Sequence, residues 1–397
     1  MVIIMEFHLI NEKNLPKVAN LWDYCFEKKD TFFFKWYFNE YCLKQNEILG
    51  GFSKQAYLST MLHLNPYKIN LRGMEASTTY LVGIATDPVS RGRRVLKELF
   101  EIAFAILRAQ GKFFVILMPE HAGVYLPYQF SFTYYKHRYE LPLNELTFGN
   151  VDESVELFRL EKPTDFTVFS KLYEAFMSKY NGFVIRDDRF WTNFFSVFLH
   201  EDGEILLAYR GNIPVGYMFY QRINKNFRIN ELIYSEPDVK NSFLRYTRQH
   251  LAQCDKLEWL AEIDDLTYLH FPKQVNSGSL NPFVMARVID AQRALEALPL
   301  PDCHKEGSLI LLVTDDLIKA NNTLVKLDIG EKNIKIENAF ELPDVEMDIG
   351  AFTQLYFGQF SLDELAAEGL ITVNSNDAGT LLSSIFPKCK NYINEYY

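Results

Sequence analysis

The chain has 397 residues, of which 48% are hydrophobic and 23% charged, and its formal net charge is −10 with an isoelectric point near 5.4. This length exceeds what one hydrophobic core organises, so we expect two or three domains. The acidic balance and the lack of any Lys/Arg block argue against a nucleic-acid partner.

The five cysteines are scattered and odd in number, and none has the spacing of a metal site. This pattern favours reduced thiols, no bound metal and a cytoplasmic protein. No segment reaches the roughly 18 apolar residues of a membrane span, and the N-terminal stretch lacks the basic region of a secretion signal. We therefore expect no membrane partner.

Helices and strands alternate in the first part of the chain. Residues 15–25 show helical spacing of apolar side chains, and the segment DTFFFKWYFNEYCL predicts a second helix. Strands are expected at 47–53, 57–62 and 79–86. A long helix follows in RGRRVLKELFEIAFAILRAQG, ended by Gly111, and the next buried strand is KFFVILMPE. This order predicts a βαβ unit.

The same theme returns after residue 145. Strands are predicted for EILLAYR, PVGYMFYQRI and FRINELIYS, followed by a helix in SEPDVKNSFLRYTRQHLAQ. The repeated order of strand, proline and helix indicates a duplicated domain. In a third segment, Ser361 and Glu364 predict a capping box at the start of a helix. We place the domains at 1–145, 146–281 and 282–397.

One stretch carries the chemical signal, VGIATDPVSRGRRVL at residues 82–96. A buried strand leads through Pro88 into a helix that is expected to begin within the run SRGRR. The first amides of a helix lack intrahelical partners and carry the positive end of its dipole, so they can bind a diphosphate. An isolated RGRR favours a solvated, basic helix start, but the preceding strand and Pro88 shift the interpretation toward a phosphate site.

This stretch resembles the acetyl-CoA motif of the GNAT superfamily, and more closely that of its Eis-like branch. The resemblance implies N-acetyltransferase activity with acetyl-CoA as co-substrate. It assigns to acetyl-CoA binding the residues Ile84, Ala85, Thr86, Arg91, Gly92, Arg93, Arg94, Val95 and Leu96. Arg94 stands where the family has glycine and Leu96 where it has a small residue, so bulky side chains are expected to hinder the approach of the backbone to the pyrophosphate.

A second similarity lies in the segment YLPYQF, residues 125–130. In Eis-like enzymes the first tyrosine of such a run protonates the leaving CoA thiolate, and Tyr125 takes that position, with Tyr128 as the alternative. A phenol with a pKa near 10 can supply this proton when it is held close. Gln129 departs from the glycine of the family. The resemblance also implies that the terminal carboxylate of Tyr397 is the general base.

The resemblance implies an α/β (α+β) fold with duplicated GNAT folds and mixed central sheets, followed by a sterol-carrier-protein-like α+β domain. It further implies a homo-oligomer, a hexamer or a trimer. Phe33 and Trp36 lie on the predicted second helix, which borders the acceptor pocket in this family, although core packing explains them equally well. Aromatic rings in an acidic protein suit a small-molecule amine such as a polyamine, an aminoglycoside or a lysine side chain.

The second GNAT-like unit is expected to lack a cofactor site. Its equivalent turn carries Glu236 and Asp238 and no arginine, and acidic groups repel a pyrophosphate. Two alternatives remain for the whole chain. It is a catalytically inactive GNAT relic that serves as a ligand-binding or assembly module, or it is an N-myristoyl-type or aminoacyl transferase that uses another acyl donor.

Overall fold

The computed structural model describes residues 5–92, 94–271 and 279–396. These residues form two compact units, and each is described by itself below. The first unit comprises the described residues within 1–133, 284–389 and 395–397, and the second comprises those within 134–283 and 390–394. The predicted boundaries at 145 and 281 stay predictions.

The N-terminal part of the first unit is a mixed sheet in the order β1-β2-β3-β4-β5-β13. Its elements are β1 (Glu6–Leu9), α1 (Leu15–Cys25), α2 (Phe32–Trp36), β2 (Glu47–Phe52), β3 (Leu58–Leu71), β4 (Met74–Thr86), α3 (Val95–Ala109), β5 (Phe114–Leu117) and β13 (Ser279–Val288). Strands β4 and β5 run parallel, and the other neighbours are antiparallel. The expected βαβ unit is therefore β4–α3–β5.

Several predicted elements differ from the structure, among them β4, which begins at Met74 rather than near residue 79. Strand β3 continues to Leu71 instead of ending near residue 62, because Arg72 and Gly73 both adopt positive φ and close a long hairpin with β4. The predicted second helix is α-helical only over Phe32–Trp36 and continues as a π-helix over Tyr37–Tyr41. Helix α3 begins at Val95, just after the basic run rather than within it.

The C-terminal part of the first unit has its own sheet, in the order β16-β15-β14-β17-β18. Its elements are α7 (Ala291–Glu296), β14 (Gly307–Thr314), β15 (Thr323–Ile329), β16 (Ile334–Asn338), β17 (Val345–Asp348), α8 (Ile349–Phe357), α9 (Leu362–Ala367), β18 (Ile371–Val373) and α10 (Asn376–Ile385). The predicted capping box is confirmed, since the Ser361 side chain and Glu364 bond each other's backbone amides at the start of α9.

The second unit repeats the mixed sheet in the order β6-β12-β11-β10-β9-β7. Its elements are β6 (Ser131–Pro142), β7 (Val155–Leu160), α4 (Thr167–Met177), β8 (Phe183–Val184), α5 (Asp188–Phe198), β9 (Glu204–Arg210), β10 (Ile213–Ile223), β11 (Asn226–Tyr234), α6 (Pro237–Arg248) and β12 (Lys256–Ala261). The predicted fold class is confirmed. Within the described part of the chain, no helix combines the length and apolar composition that crossing a membrane requires.

Candidate functional site

Strands β4 and β5 pair over a very short distance. Thr79 faces Val115 and Tyr80 faces Ile116, and beyond this point β4 continues to Thr86 without a ladder to β5. The two parallel strands therefore diverge toward their carboxyl ends. Such a gap leaves backbone groups of β4 available to a ligand.

A β-bulge lies on β4 within this divergent region. On β3, Met61 pairs with Ala85 and His63 pairs with Val82, so β4 has one extra residue there. Gly83 adopts φ +57°, in the left-handed region. The bulge turns the backbone of Gly83 and Ile84 out of the regular ladder. Ile84 is one of the residues that the resemblance assigns to acetyl-CoA binding.

Gly83 is required by space as well as by conformation. A Cβ atom on this residue would overlap the Trp22 ring and lie 3.0 Å from Cδ2 of His63. Trp22 cannot yield easily, because its ring packs between Phe26 and Tyr37, each with centroids 5.0 Å away. The bulge is therefore fixed by the close packing of Gly83 against Trp22 and the aromatic rings around it.

The turn after β4 prepares the start of α3. A short 3₁₀ helix spans Pro88–Ser90, and Nε of Arg91 donates to the carbonyl of Thr86 at 3.1 Å. Gly92 adopts φ +75° and Arg94 adopts φ +60°. Arg94 is the N-cap of α3, and no side chain caps the helix. Arg93 lies outside the described residues.

This geometry fits a diphosphate. Arg94 occupies the left-handed conformation that glycine favours, so the backbone follows a glycine-like path, and the arginine side chain is exposed. A Cβ on Gly92 would meet no atom within 4 Å. Leu96 is partly buried and packs against the hydrophobic core. The backbone at Arg94 thus follows the path that a glycine would take, and the expected hindrance from Arg94 and Leu96 stays a prediction.

The loop after β5 carries both candidate tyrosines. Tyr125 lies between two short 3₁₀ helices, Ala122–Val124 and Leu126–Tyr128. Tyr125 and Tyr128 pack on Phe100 of α3, with ring centroids 6.5 and 5.1 Å away. The same hydrophobic cluster includes Ile84 and Leu96. The structure thus gathers residues of both predicted motif segments, 82–96 and 125–130, around one core.

Among the described residues, the Tyr125 hydroxyl has no hydrogen-bond partner in the protein. Burial raises the pKa of Tyr125, and the negative charge of Glu120 raises it further. Burial also raises the pKa of Tyr128. Both phenols are therefore protonated at neutral pH and can donate.

Phe33 and Trp36 belong to an aromatic group next to the bulge. Both are partly buried; Phe33 stacks on Tyr37 at 5.5 Å, and Trp36 lies 5.9 Å from Tyr41. The hydroxyl of Tyr37 in turn lies 3.1 Å from Nδ1 of His63, within hydrogen-bond distance. Phe33 and Trp36 thus connect through Tyr37 to Trp22, the ring that packs against Gly83.

His63 was missed by sequence reasoning, because an isolated histidine in an apolar strand gives no signal. It is fully buried, and burial lowers its pKa to about 3, so it is neutral. Its Nε2, Nε1 of Trp22 and Nδ2 of Asn65 are buried without a hydrogen-bond partner in the described part of the structure. Gly83 could have been found, since a glycine inside a strand often marks a bulge.

The end of the described chain approaches β4. Glu395 is 4% exposed, and its carbonyl accepts a hydrogen bond from the Tyr80 hydroxyl at 3.3 Å. Tyr80 is the residue at which β4 stops pairing with β5. Tyr397 lies outside the described residues, so its predicted role stays a prediction.

The second unit has a similar divergence with different contents. Parallel pairing of β11 and β12 ends at Ile229 and Trp259. Beyond it, Nζ of Lys240, near the start of α6, lies 2.6 Å from a carboxylate oxygen of Asp265, whose other oxygen accepts from Tyr139. These buried side chains bond each other. The expectation that this unit binds no acetyl-CoA stays a prediction. Among the described residues, no group of three or more His, Cys, Asp or Glu could hold a metal ion.

Comparisons with known proteins agree with this geometry. Residues 6–133 and 182–288 each match an acetyltransferase (GNAT) domain family, and residues 291–394 match a sterol carrier protein domain family. No curated protein matches the chain.

Solved structures with the same fold cover the chain almost completely. A probable N-acyltransferase from Enterococcus faecalis superposes with a TM-score of 0.87 at 18% identity, over 99% of this chain and 100% of that one. A GCN5-related N-acetyltransferase from Anabaena variabilis gives 0.84 at 18% identity, with the same coverage. Eis1 from Mycobacterium abscessus gives 0.75 at 15% identity, again over 99% and 100%.

Proposed function

We propose that this chain, which matches two acetyltransferase (GNAT) domain families and a sterol carrier protein domain family, is an acyltransferase that moves an acetyl group from acetyl-CoA to a primary amine of a small cationic acceptor. Transfer is direct, within a ternary complex. The observation that carries this proposal is the divergence of β4 from β5 at a bulge, continuous with a glycine-like turn that opens α3.

The start of α3 would hold the diphosphate. Amides in the first turn of a helix have no intrahelical acceptor and lie at the positive end of the dipole. Arg91 and Arg94 are exposed beside them and add positive charge. Because these donors are backbone groups fixed by the turn, binding requires little reorganisation. Acetyl-CoA supplies the thioester whose carbonyl carbon the amine attacks.

The bulge would orient the thioester. The amide of Ile84 follows the left-handed Gly83 and lies outside the regular β3–β4 pairing. An amide fixed in this way stabilises negative charge that develops on a carbonyl oxygen. Ala85 and Thr86 pair with β3 again, so they fix the strand on the far side of the bulge.

Tyr125 would protonate the leaving thiolate. Its pKa is raised by burial and by Glu120, so the hydroxyl keeps its proton across the pH range in which an amine is partly neutral. Its ring is held by Phe100 and Phe130, which limits its rotation. Tyr128 lies on the same loop and against the same Phe100, and it is the second choice.

Removal of the ammonium proton is assigned by resemblance to the carboxylate of Tyr397. The position of the buried Glu395 beside Tyr80 supports this assignment. Tyr397 follows Glu395 by two residues, so it lies at most about 7 Å further along the chain. The rings of Phe33 and Trp36 would attract the cationic group of the acceptor through cation–π contact. Three properties stay predictions from the sequence: that the enzyme forms a homo-oligomer, that it is cytoplasmic and that it has no nucleic-acid partner.

Two measurements test the proposal. Calorimetry with acetyl-CoA is expected to show one site per chain, and variant Arg91→Ala is expected to bind more weakly than the control Arg248→Ala, on α6 of the second unit. Release of CoA thiol is then followed with spermidine, kanamycin and a lysine peptide. Absence of acetyl-CoA binding would refute the proposal and leave the inactive relic or the transferase with another acyl donor described above. Binding without thiol release for any amine would refute the cationic acceptor.

A further inference from the structure

The loop of Tyr125 and Tyr128 is bonded to residues far away in the chain. It follows β5 and ends at Phe130 in the core. Two side chains, Arg287 of β13 and Gln129 of the loop itself, connect the loop by hydrogen bonds to the C-terminal part of the first unit. Neither residue was assigned a role from the sequence.

Arg287 lies on β13 and is completely buried. Its Nε donates to the carbonyl of Tyr128 at 2.7 Å, and a terminal nitrogen donates to Oδ1 of Asp315 at 2.6 Å. The other terminal nitrogen donates to the carbonyl of Val288 at 3.0 Å. One rigid guanidinium thus bonds to the tyrosine loop, to the last residue of β13 and to the C-terminal domain.

Asp315 is itself held in place. It accepts the amides of Leu317 and Ile318, both at 2.8 Å, and Nδ2 of Asn321 at 2.9 Å. A buried carboxylate with these partners cannot move without breaking several hydrogen bonds. The position of Arg287, and with it the carbonyl of Tyr128, is therefore set by the C-terminal domain.

Gln129 makes a second connection from the same loop. Its Oε1 accepts the amide of Asp316 at 2.9 Å, and its Nε2 donates to Oδ2 of Asp348 at 3.3 Å. The backbone of Gln129 has φ +57°, which glycine would adopt without strain. Because glutamine adopts this conformation at a cost, its side-chain bonds explain why this chain departs from the glycine that the resemblance predicts here.

We propose that Arg287 and Gln129 are positioning residues, through which the sterol carrier protein domain fixes the loop that presents the tyrosine hydroxyl to the leaving thiolate. This inference rests on the proposed function. Neither side chain needs to touch a substrate. Positioning matters because a displacement of about 1 Å at a reacting group can lower a rate on the order of 100-fold.

Variant Gln129→Gly separates positioning from stabilisation. It removes both side-chain bonds and at the same time relieves the left-handed strain, so the melting temperature is expected to stay level or rise. The kcat of acetyl transfer is expected to fall about 10-fold or more, with the KM for acetyl-CoA unchanged. The matched control is Lys225→Gly, a left-handed turn residue with φ +63° in the second unit, for which kcat should not change.

Hydrogen exchange of residues 122–130 gives a readout that needs no activity. Gln129→Gly and the charge-conserving Arg287→Lys should both exchange faster in this segment than the wild type, while Lys225→Gly should not. Unchanged exchange there, or an unchanged kcat of Gln129→Gly in an active enzyme, would overturn the inference. A wild type that releases no CoA thiol would instead refute the proposed function, and the exchange data would still decide the positioning.

Discussion

Replacing Gly83 with alanine tests whether the β4 bulge is held by conformation and space together. A left-handed conformation costs a non-glycine residue roughly 1–2 kcal/mol. The new methyl group would also overlap the Trp22 ring, and overpacking in a filled core typically costs about 1–3 kcal/mol. The sum predicts a loss of roughly 2–5 kcal/mol in the free energy of unfolding of Gly83→Ala.

Gly211→Ala is the matched control. Gly211 has φ +59°, almost the value of Gly83, but a Cβ there would meet no atom within 4 Å. The control should therefore show only the conformational cost of about 1–2 kcal/mol. Urea unfolding followed by circular dichroism measures both variants, and CoA release measures activity. Gly83→Ala should also lower kcat, because any shift of the bulge moves the amide of Ile84.

Equal losses of stability in the two variants would refute the steric part of this argument. It would mean that Trp22 moves aside, although its ring packs against Phe26, Tyr37 and His63 with centroids 5.0 Å away in each case. Full activity in Gly83→Ala would refute the catalytic part, because the thioester would then not depend on the bulge.

Four further outcomes are expected. Arg94→Gly should keep or raise the melting temperature, since it relieves a left-handed residue, and weaken acetyl-CoA binding less than about 10-fold in calorimetry because the backbone amides remain. Tyr125→Phe should lower kcat by about 10²- to 10⁴-fold with little change in the KM for acetyl-CoA. Arg186→Met should lose about 3–5 kcal/mol in urea unfolding, because it leaves the buried Glu231 carboxylate without its cation. Burial raises the pKa of Glu231, but Arg186 and other hydrogen-bond donors outweigh it and lower the pKa overall, so wild-type stability from this pair should be present at neutral pH and fall as acid protonates Glu231. One glycine added after Tyr397 should reduce kcat but leave acetyl-CoA binding unchanged in calorimetry, because it moves the terminal carboxylate by about 3.8 Å.

The local parts of the fold could be predicted from the sequence. The hydrophobic spacing predicts α1 and α3, and the Ser361–Glu364 pair predicts the start of α9, because caps and periodicity depend on residues close in the chain. The pairing of β13 with β5 could not be predicted. It joins residues about 170 positions apart, and nothing in a short apolar run specifies so distant a partner.

The candidate site divides in the same way. Tyr125 and the turn at 88–94 carry a motif, so sequence could point to them. The contacts of Arg287 with Tyr128 and of Glu395 with Tyr80 depend on tertiary packing between distant segments. A buried arginine in a strand resembles a surface residue in sequence, because its partner Asp315 becomes visible only when the sheets are assembled.

Arg94 shows why a departure from a motif is judged by backbone conformation before side-chain size. The expected objection was that a bulky residue keeps the backbone away from a diphosphate. What the turn requires is a positive φ, and Arg94 adopts +60° with its side chain directed into solvent. The strain is about 1–2 kcal/mol. In return, the helix start gains a cation beside its uncapped amides, where an anion is stabilised by both. The substitution therefore exchanges a little folding stability for charge at the one place where a diphosphate would use it.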